Sequence, residues 1–414
     1  MPELFTVVST DEAFERLRAH LAWTVRPAEV PLGLALGRTL ARDVIAGEPL
    51  PPFARSAMDG YAVRARDTLG ASESSPVYLR LAGEAEMGSI PAFSVAPGTC
   101  ARIHTGAALP AGADAVVMVE ETNLVGAAEV EVSASVAPGE DVIQLGEDVV
   151  AGERALEAGR RLRPVDIGAL AALGVVDVPV AQMPRVAVLS TGDELVAPGE
   201  RARPGEIRDV NGPMLCAMLE RAGAAARHHG IVPDDEERLV EAARAALDAS
   251  DALVVTAGSS VSARDVTARA LACLGSPGIL LHGIAVKPGK PTIVACCDGK
   301  PVFGLPGNPV SAAVVAWRLL LPTVRLLLGE TVPHGGLAPA PRTARLTQNV
   351  PSRSGREDFV AVRLVQADDG EVLAEPAFAK SNLVFSLSRT DGLVRVPRDS
   401  GGLRAGERAE VFTW

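Results

Sequence analysis

Of the 40 basic residues in this 414-residue chain only four are lysines, and two of them share one turn, Lys287-Pro288-Gly289-Lys290-Pro291. An ammonium is a compact point charge where a guanidinium is a planar fork, so two ammonium groups on a proline-stiffened turn suit an oxyanion; a solvated turn is the plain alternative. Ser190-Thr191-Gly192-Asp193-Glu194-Leu195 follows an apolar run and would set two carboxylates beside a tight glycine turn, although an ordinary capped strand-to-helix turn fits it equally well. Thr256-Ala257-Gly258-Ser259-Ser260-Val261-Ser262-Ala263-Arg264-Asp265 is a small-residue loop of the kind whose backbone N–H groups hold phosphate. Ser262 and Asp265 also have the spacing of an N-cap pair, and Asp234 with Glu237 repeats it. Gly304-Leu305-Pro306-Gly307-Asn308-Pro309-Val310-Ser311 completes the set, with Asn308 expected as an N-cap and Pro309 as the first helical residue.

The elements that must carry these loops are legible in the periodicity. Apolar strands are expected at 186–189, 225–232, 252–256, 291–296 and 302–304, alternating with helices at 212–222, 236–249, 263–274 and 310–328. Such alternation predicts a doubly wound, mostly parallel sheet, with ligands beyond the carboxyl ends of its strands. All four loops fall at that mouth. Upstream, Ser9 and Glu12 form a capping box opening a helix to about Trp23. Residues 30–50 read as a second short helix with an extended exit, 51–146 as an inserted β-rich domain, and 147–180 as helical again, with a helix at 164–173. Residues 332–414 carry short alternating runs, as in a small β barrel or sandwich. The expected division is therefore 1–50 with 147–180, then 51–146, 181–331 and 332–414.

Composition narrows the function. The formal net charge is -11, which disfavours nonspecific nucleic-acid binding, since that needs clustered Lys and Arg. The negative excess lies in residues 1–180, while 181–331 is nearly neutral at fifteen basic against sixteen acidic groups. Five cysteines without CxxC spacing suit reduced thiols in a cytosol. The acidic N-terminus lacks the pattern of a signal peptide, and the apolar stretch 309–328 is broken by Arg318, Pro322 and Arg325, so a buried helix is expected and no membrane span. Walker A, GxGxxG, HExxH and GxSxG patterns are absent, which disfavours nucleotidases, dehydrogenases and zinc hydrolases of the usual kinds. Two polar stretches, one around Asp59 and one around Thr105, are from physics alone simply loops.

Taken in order, PPFARSAMDGYA, RIHTGAALPAGADAVV, LSTGDELV, IRDVN, SSVSARD, HGIAVKPGKPT, GLPGNPVSA and KSNLVFSLSRTDGLVRVP resemble the MoeA family, the molybdopterin molybdenumtransferases, which include the E domain of gephyrin. The resemblance implies an α/β multidomain protein: a MogA/MoaB-like doubly wound sheet, an N-terminal helical and β region, and a C-terminal small β barrel. It implies a cytoplasmic enzyme that takes adenylylated molybdopterin and molybdate, uses Mg²⁺, releases AMP, and works as a homodimer with a shared active site. Asp59 and Thr105 would then act across the dimer, while Glu194, Asp234 and Asp265 would be catalytic and hold Mg²⁺. Ser190, Thr191, Gly192, Gly258 and Ser259 would meet the substrate, as would Asp148, Pro306, Gly307 and Asn308. Lys287, Lys290 and Ser311 would hold the oxyanion, joined by Arg356 and Ser381 from the tail. The chain departs from the family at Ala257 and Ser262, where glycines are usual, and at Ile143 and Gln144, where arginines are common. A positive φ at either former glycine would cost on the order of 1 kcal/mol. The alternative from another class is a gephyrin-like scaffold that binds a peptide of a structural or cell-division protein. The preceding adenylyltransferase is disfavoured by the long N-terminal region and the β tail.

Overall fold

The computed structural model describes residues 7–257, 261–331 and 341–413. Helix α1 (Thr10–Arg18) starts on Ser9, whose Oγ accepts from the Glu12 N–H at 3.1 Å. It stops short of Trp23 because the chain turns to donate the Ala22 N–H to Gly299 O at 3.1 Å. Its buried face, Ala13 and Leu17, joins the core of the α/β sheet rather than residues 147–180. The helix expected within 30–50 is absent: Pro27–Pro31 is extended and pairs antiparallel with Asp177–Ala181, leaving one 3-10 turn at Leu32–Leu34. Gly33 and Gly37 weaken any helix there, and a strand partner supplies the hydrogen bonds instead. Helix α2 (Pro164–Ala172) opens on proline, with Asp166 accepting the Arg163 N–H at 2.8 Å. Between them, strands from Gly60–Val63 to Glu129–Val132 build a six-stranded sheet with a core around Tyr61, Leu79, Ile103 and Val117.

In the α/β part, Arg185–Thr191, Ala225–Val232, Ala252–Ala257 and Lys300–Pro306 run parallel. Helices α3 (Asn211–Ala222), α4 (Glu236–Asp248) and α5 (Val261–Ala272) connect and cover them. The far edge is antiparallel: Ile293–Cys297 forms a hairpin with Lys300–Pro306, and Pro277–His282 adds beyond it. Asp298 and Gly299, both at positive φ (52° and 81°), make the two-residue turn, which forces an antiparallel return because a parallel one needs a long crossover. A long helix follows as α6 (Pro309–Val315), one wide turn at Ala316–Leu320, and α7 (Leu321–Leu327). Pro322 explains the wide turn, since its ring displaces the carbonyl one turn back. This is the one described helix long and apolar enough to cross a membrane, and it is 78% buried within the protein.

The C-terminal strands Arg342–Leu346, Glu357–Gln366, Val372–Pro376, Gly392–Val396 and Arg408–Thr413 pair in a closed ring. They therefore form a five-stranded barrel and not a sandwich. Helix α8 (Phe385–Ser388) precedes its fourth strand. Val286–Lys287 reaches over from the α/β part to pair with Glu357 and Asp358 at the barrel's edge.

Candidate active site

The strand Arg185–Thr191 ends in two buried hydroxyls that face different ways. Ser190 Oγ donates to Asp209 Oδ2 at 2.6 Å, and His228 Nε2 lies 3.2 Å from the same oxygen. The other Asp209 oxygen accepts the N–H groups of Asn211 and Gly212, both at 3.0 Å. Burial would raise the Asp209 carboxyl, but its hydrogen bonds from His228, Ser190 and Gly212 hold it below the usual carboxylate range. Gly212 permits this packing, because a Cβ there would lie 2.6 Å from His228 Nε2 and 2.7 Å from Asp209 Oδ2. Thr191 Oγ1 instead donates to Asp234 Oδ1 at 2.8 Å. The cap of α4 is Asp235, which accepts the Arg238 N–H at 2.9 Å. Asp234 is thus not the cap that its spacing to Glu237 allowed, and one of its carboxylate oxygens is engaged by Thr191.

Beyond these strand ends lies a cleft of about 730 Å³ between the sheet and α8. Thr191, Glu194, Thr256 and Ala257 wall it from the sheet, and Asp209 and Asn211 from the start of α3. Gly307 and Asn308 close a third side, while Asn382, Val384 and Phe385 face them from the barrel domain. Gly192 lets the Glu194 side chain fold back, since a Cβ would sit 2.8 Å from Glu194 Oε2. Asn308 occupies the N-cap position of α6 without capping it; its Nδ2 donates across to Ser381 Oγ at 3.1 Å, and Ser381 O accepts the Val310 N–H at 3.0 Å. Asn211 Nδ2 donates to Gly307 O at 2.7 Å. Thr191, Glu194, Gly307 and Asn308 therefore line the cleft, and Ser190, Asp234 and Ser381 stand one hydrogen bond behind. Pro306 ends its buried strand beside them. Gly258 and Ser259 lie outside the described residues.

The remaining expected residues are elsewhere. Lys287 and Lys290 are exposed on a turn that Gly289 backs against the long helix near Ser311, and Lys287 and Arg356 both meet Asp358. Asp148 is exposed on a turn, donating its N–H to Leu50 O at 2.9 Å. Asp265 is exposed on α5. Among the described residues no three His, Cys, Asp or Glu side chains are gathered to hold a metal ion. The expected Mg²⁺ cage of Glu194, Asp234 and Asp265 is thus not assembled: the three sit on separate elements, and Asp234 is turned to Thr191. Asp59 and Thr105 do pair, through the Thr105 N–H at 2.8 Å and Oγ1 at 3.2 Å to Asp59 Oδ1. The Thr105 backbone N–H, then its hydroxyl, and His104 lower the Asp59 carboxyl. That pair sits on the inserted sheet with its separate core, not at the cleft of the same chain.

Asp209, Asn211 and His228 were not singled out from the sequence. The usable signal was Asp209 two residues before Asn211 at a helix start, the spacing at which a carboxylate caps the first N–H groups. The two lost glycines are harmless to the backbone: Ala257 ends a strand and is not among the residues at positive φ, and Ser262 lies within α5.

Fold and cleft define a multidomain α/β protein with an open cleft at the mouth of a parallel sheet, against a barrel domain. Residues 8–174 match the MoeA N-terminal region (domain I and II), 187–326 a probable molybdopterin binding domain, and 343–414 the MoeA C-terminal region (domain IV). The chain belongs to the MoeA family. It is 36% identical over 403 residues to molybdopterin molybdenumtransferase 2 of Mycobacterium tuberculosis, covering 96% of this chain and 98% of that one. The molybdopterin molybdenumtransferase of Bacillus subtilis is 33% identical over 417 residues, covering 100% and 95%. A solved molybdopterin biosynthesis MoeA protein from Pyrococcus horikoshii OT3 superposes with a TM-score of 0.85 at 30% identity, covering 99% of this chain and 100% of that one.

Proposed function

We propose that this chain is a molybdenum insertase, which takes adenylylated molybdopterin and molybdate, places molybdenum on the dithiolene and releases AMP. The carrying observation is the cleft at the strand ends, walled by Thr191, Glu194 and Asn308 and closed by the barrel domain, in a chain with full-length relatives named for that activity. An oxygen nucleophile at the level of water attacks the adenylate phosphorus, the bridging P–O bond breaks with its electron pair going to the molybdopterin phosphate, and the adenylyl group departs as AMP carrying the nucleophile's oxygen. Catalysis of this kind is mostly positioning and charge stabilisation. In this reading Glu194, on the cleft wall, orients the nucleophile, while Lys287, Lys290 and Arg356 supply positive charge for molybdate. Mg²⁺ commonly binds through one or two carboxylates together with substrate phosphates, so an ion carried in on the pyrophosphate needs Glu194 and not a preformed cage.

The chain works as a homodimer in this reading. Asp59 and Thr105 are pre-organised and exposed, with 64% of the Asp59 side chain accessible, yet they belong to a sheet with its own core. A second copy would bring them to the cleft. Five free cysteines, three of them buried, fit a reducing cytoplasm.

The test mixes pure protein with adenylylated molybdopterin, molybdate and Mg²⁺, following AMP and the reactivation of a cofactor-free molybdoenzyme. AMP released in step with active cofactor is expected. Failure of both, with a bound protein partner retained by Asp59→Ala and Lys290→Ala, would instead favour the scaffold.

A further inference from the structure

Two neighbouring carboxylates at the barrel's edge face opposite sides, and each is neutralised by two cations. Glu357 is 6% exposed and held by Arg318 at 3.3 Å and Arg395 at 2.7 Å, with Thr10 donating at 3.0 Å. Of its two cations, Arg318 is only 12% accessible and Arg395 37%. Asp358 is 2% exposed, and its partners are Lys287 Nζ at 3.5 Å and Arg356 Nε at 2.8 Å. Here the most open cation is Lys287, with 57% of its side chain accessible, and 34% of Arg356 is accessible beside it.

The two cations also come from different domains. Lys287 belongs to the α/β part and Arg356 to the barrel, and the pairing of Lys287 with Asp358 in register is where the two join. Gly289, at φ +125°, keeps the lysine turn against the long helix: a Cβ would be 2.4 Å from Val315 Cγ2 and 3.7 Å from Ser311 O. The charges add up to a purpose. Lys287 and Arg356 against Asp358 leave one net positive charge, and Lys290 on the same turn raises it to two, the complement of a molybdate dianion. Arg356 spends its Nε and one Nη on Asp358, which leaves further N–H donors of its planar fork for a ligand.

We propose that Asp358 is a positioning residue for molybdate, its buried carboxylate drawing Lys287 and Arg356 from two domains into one oxyanion clamp with Lys290. The inference rests on the insertase reading and deepens it. Asp358 touches no substrate; it acts by holding two flexible cations where the anion will sit, which lowers the ordering cost of binding.

The experiment uses full-length Asp358→Asn, which keeps the shape and removes the charge. Simple electrostatics and positioning then predict opposite signs: deleting a negative charge beside the anion would tighten molybdate, whereas releasing the cations would weaken it. We expect the Kd for molybdate alone, by calorimetry, and the KM for molybdate each to rise about tenfold or more, with kcat at saturating molybdate within about twofold. An unchanged or tighter Kd overturns the assignment. In a Lys287→Met background, where Arg356 alone is left for the carboxylate to hold, the further loss from Asp358→Asn should be smaller than in the wild type, and full additivity overturns the assignment as well. Should Asp358→Asn fail to fold, Asp358→Glu keeps the charge but moves it by one methylene, and the same rise in Kd with retained kcat is expected. Wild-type protein that binds molybdate but releases no AMP removes the insertase reading and spares the clamp. Normal insertion with unaltered molybdate affinity in Asp358→Asn removes the clamp and spares the insertase.

Discussion

Asp59 and Asp209 are both aspartates held below their ordinary pKa, and the molecule does it in opposite surroundings. Asp209 is 3% exposed and all its partners are internal: Ser190, His228 and two helix N–H groups. Asp59 is exposed, and one oxygen takes both hydrogen bonds from Thr105. A buried carboxylate so satisfied has no bonding capacity left for a ligand and serves to fix the strand end and the start of α3. An exposed carboxylate fixed by a neighbouring loop keeps its second oxygen for something from outside the chain. The same residue type with the same direction of shift therefore marks a foundation in one place and a presented group in the other.

The largest expected effect breaks the foundation. Asp209→Ala leaves the Ser190 hydroxyl, His228 and two N–H groups without their acceptor, and should cost about 3 kcal/mol in the unfolding of the α/β part. Guanidinium unfolding followed by circular dichroism measures it. A variant as stable as the wild type would mean that the buried network contributes nothing to the strand end.

Next comes the presented group. Asp59→Asn should leave the unfolding transition in place and lower kcat about a hundredfold, the size typical of a lost electrostatic group at a reacting centre. Mixing it with Glu194→Gln sharpens the point, because mixed dimers carry one site with both residues intact. Activity should recover to about a quarter of wild type after subunit exchange, while neither variant alone shows it. No recovery would place Asp59 and Glu194 in the same chain's site, or Asp59 outside the chemistry.

How far these roles were legible in the sequence differs between the two regions. Thr191, Glu194 and Asn308 announced themselves because glycine and proline punctuate strand-to-helix turns, and the topology of alternating elements sends every such turn to one mouth. The Asp298-Gly299 hairpin carries a strong turn signal, Asp-Gly between apolar runs, but an expected alternation of parallel strands and helices leaves no place for it. Asp209 was hidden for a different reason: its partners Ser190 and His228 are far from it in sequence, and no local spacing encodes a contact across a sheet. Asp358 shares that property, since its meaning depends on a two-residue strand crossing between domains. Asp235 rather than Asp234 as the cap of α4 turned on one residue, below what spacing can resolve when two aspartates are adjacent.

The smallest expected effect concerns acid. Both native pKa values lie below the ordinary carboxylate value of about 4, so each group adds stability that is present above that value and lost as pH falls through the lower native one. For the buried Asp209 the loss is coupled to unfolding, because protonation surrenders hydrogen bonds that nothing else can replace. For the exposed Asp59, water replaces them. Unfolding free energy followed from pH 6 downward should therefore fall less steeply in Asp209→Asn than in the wild type, whatever the height of the curve, while Asp59→Asn should flatten the acid limb by a smaller amount. If the two substitutions flatten the acid limb equally, the surroundings of the two carboxylates make no difference to how they are linked to folding, and the division between foundation and presented group falls.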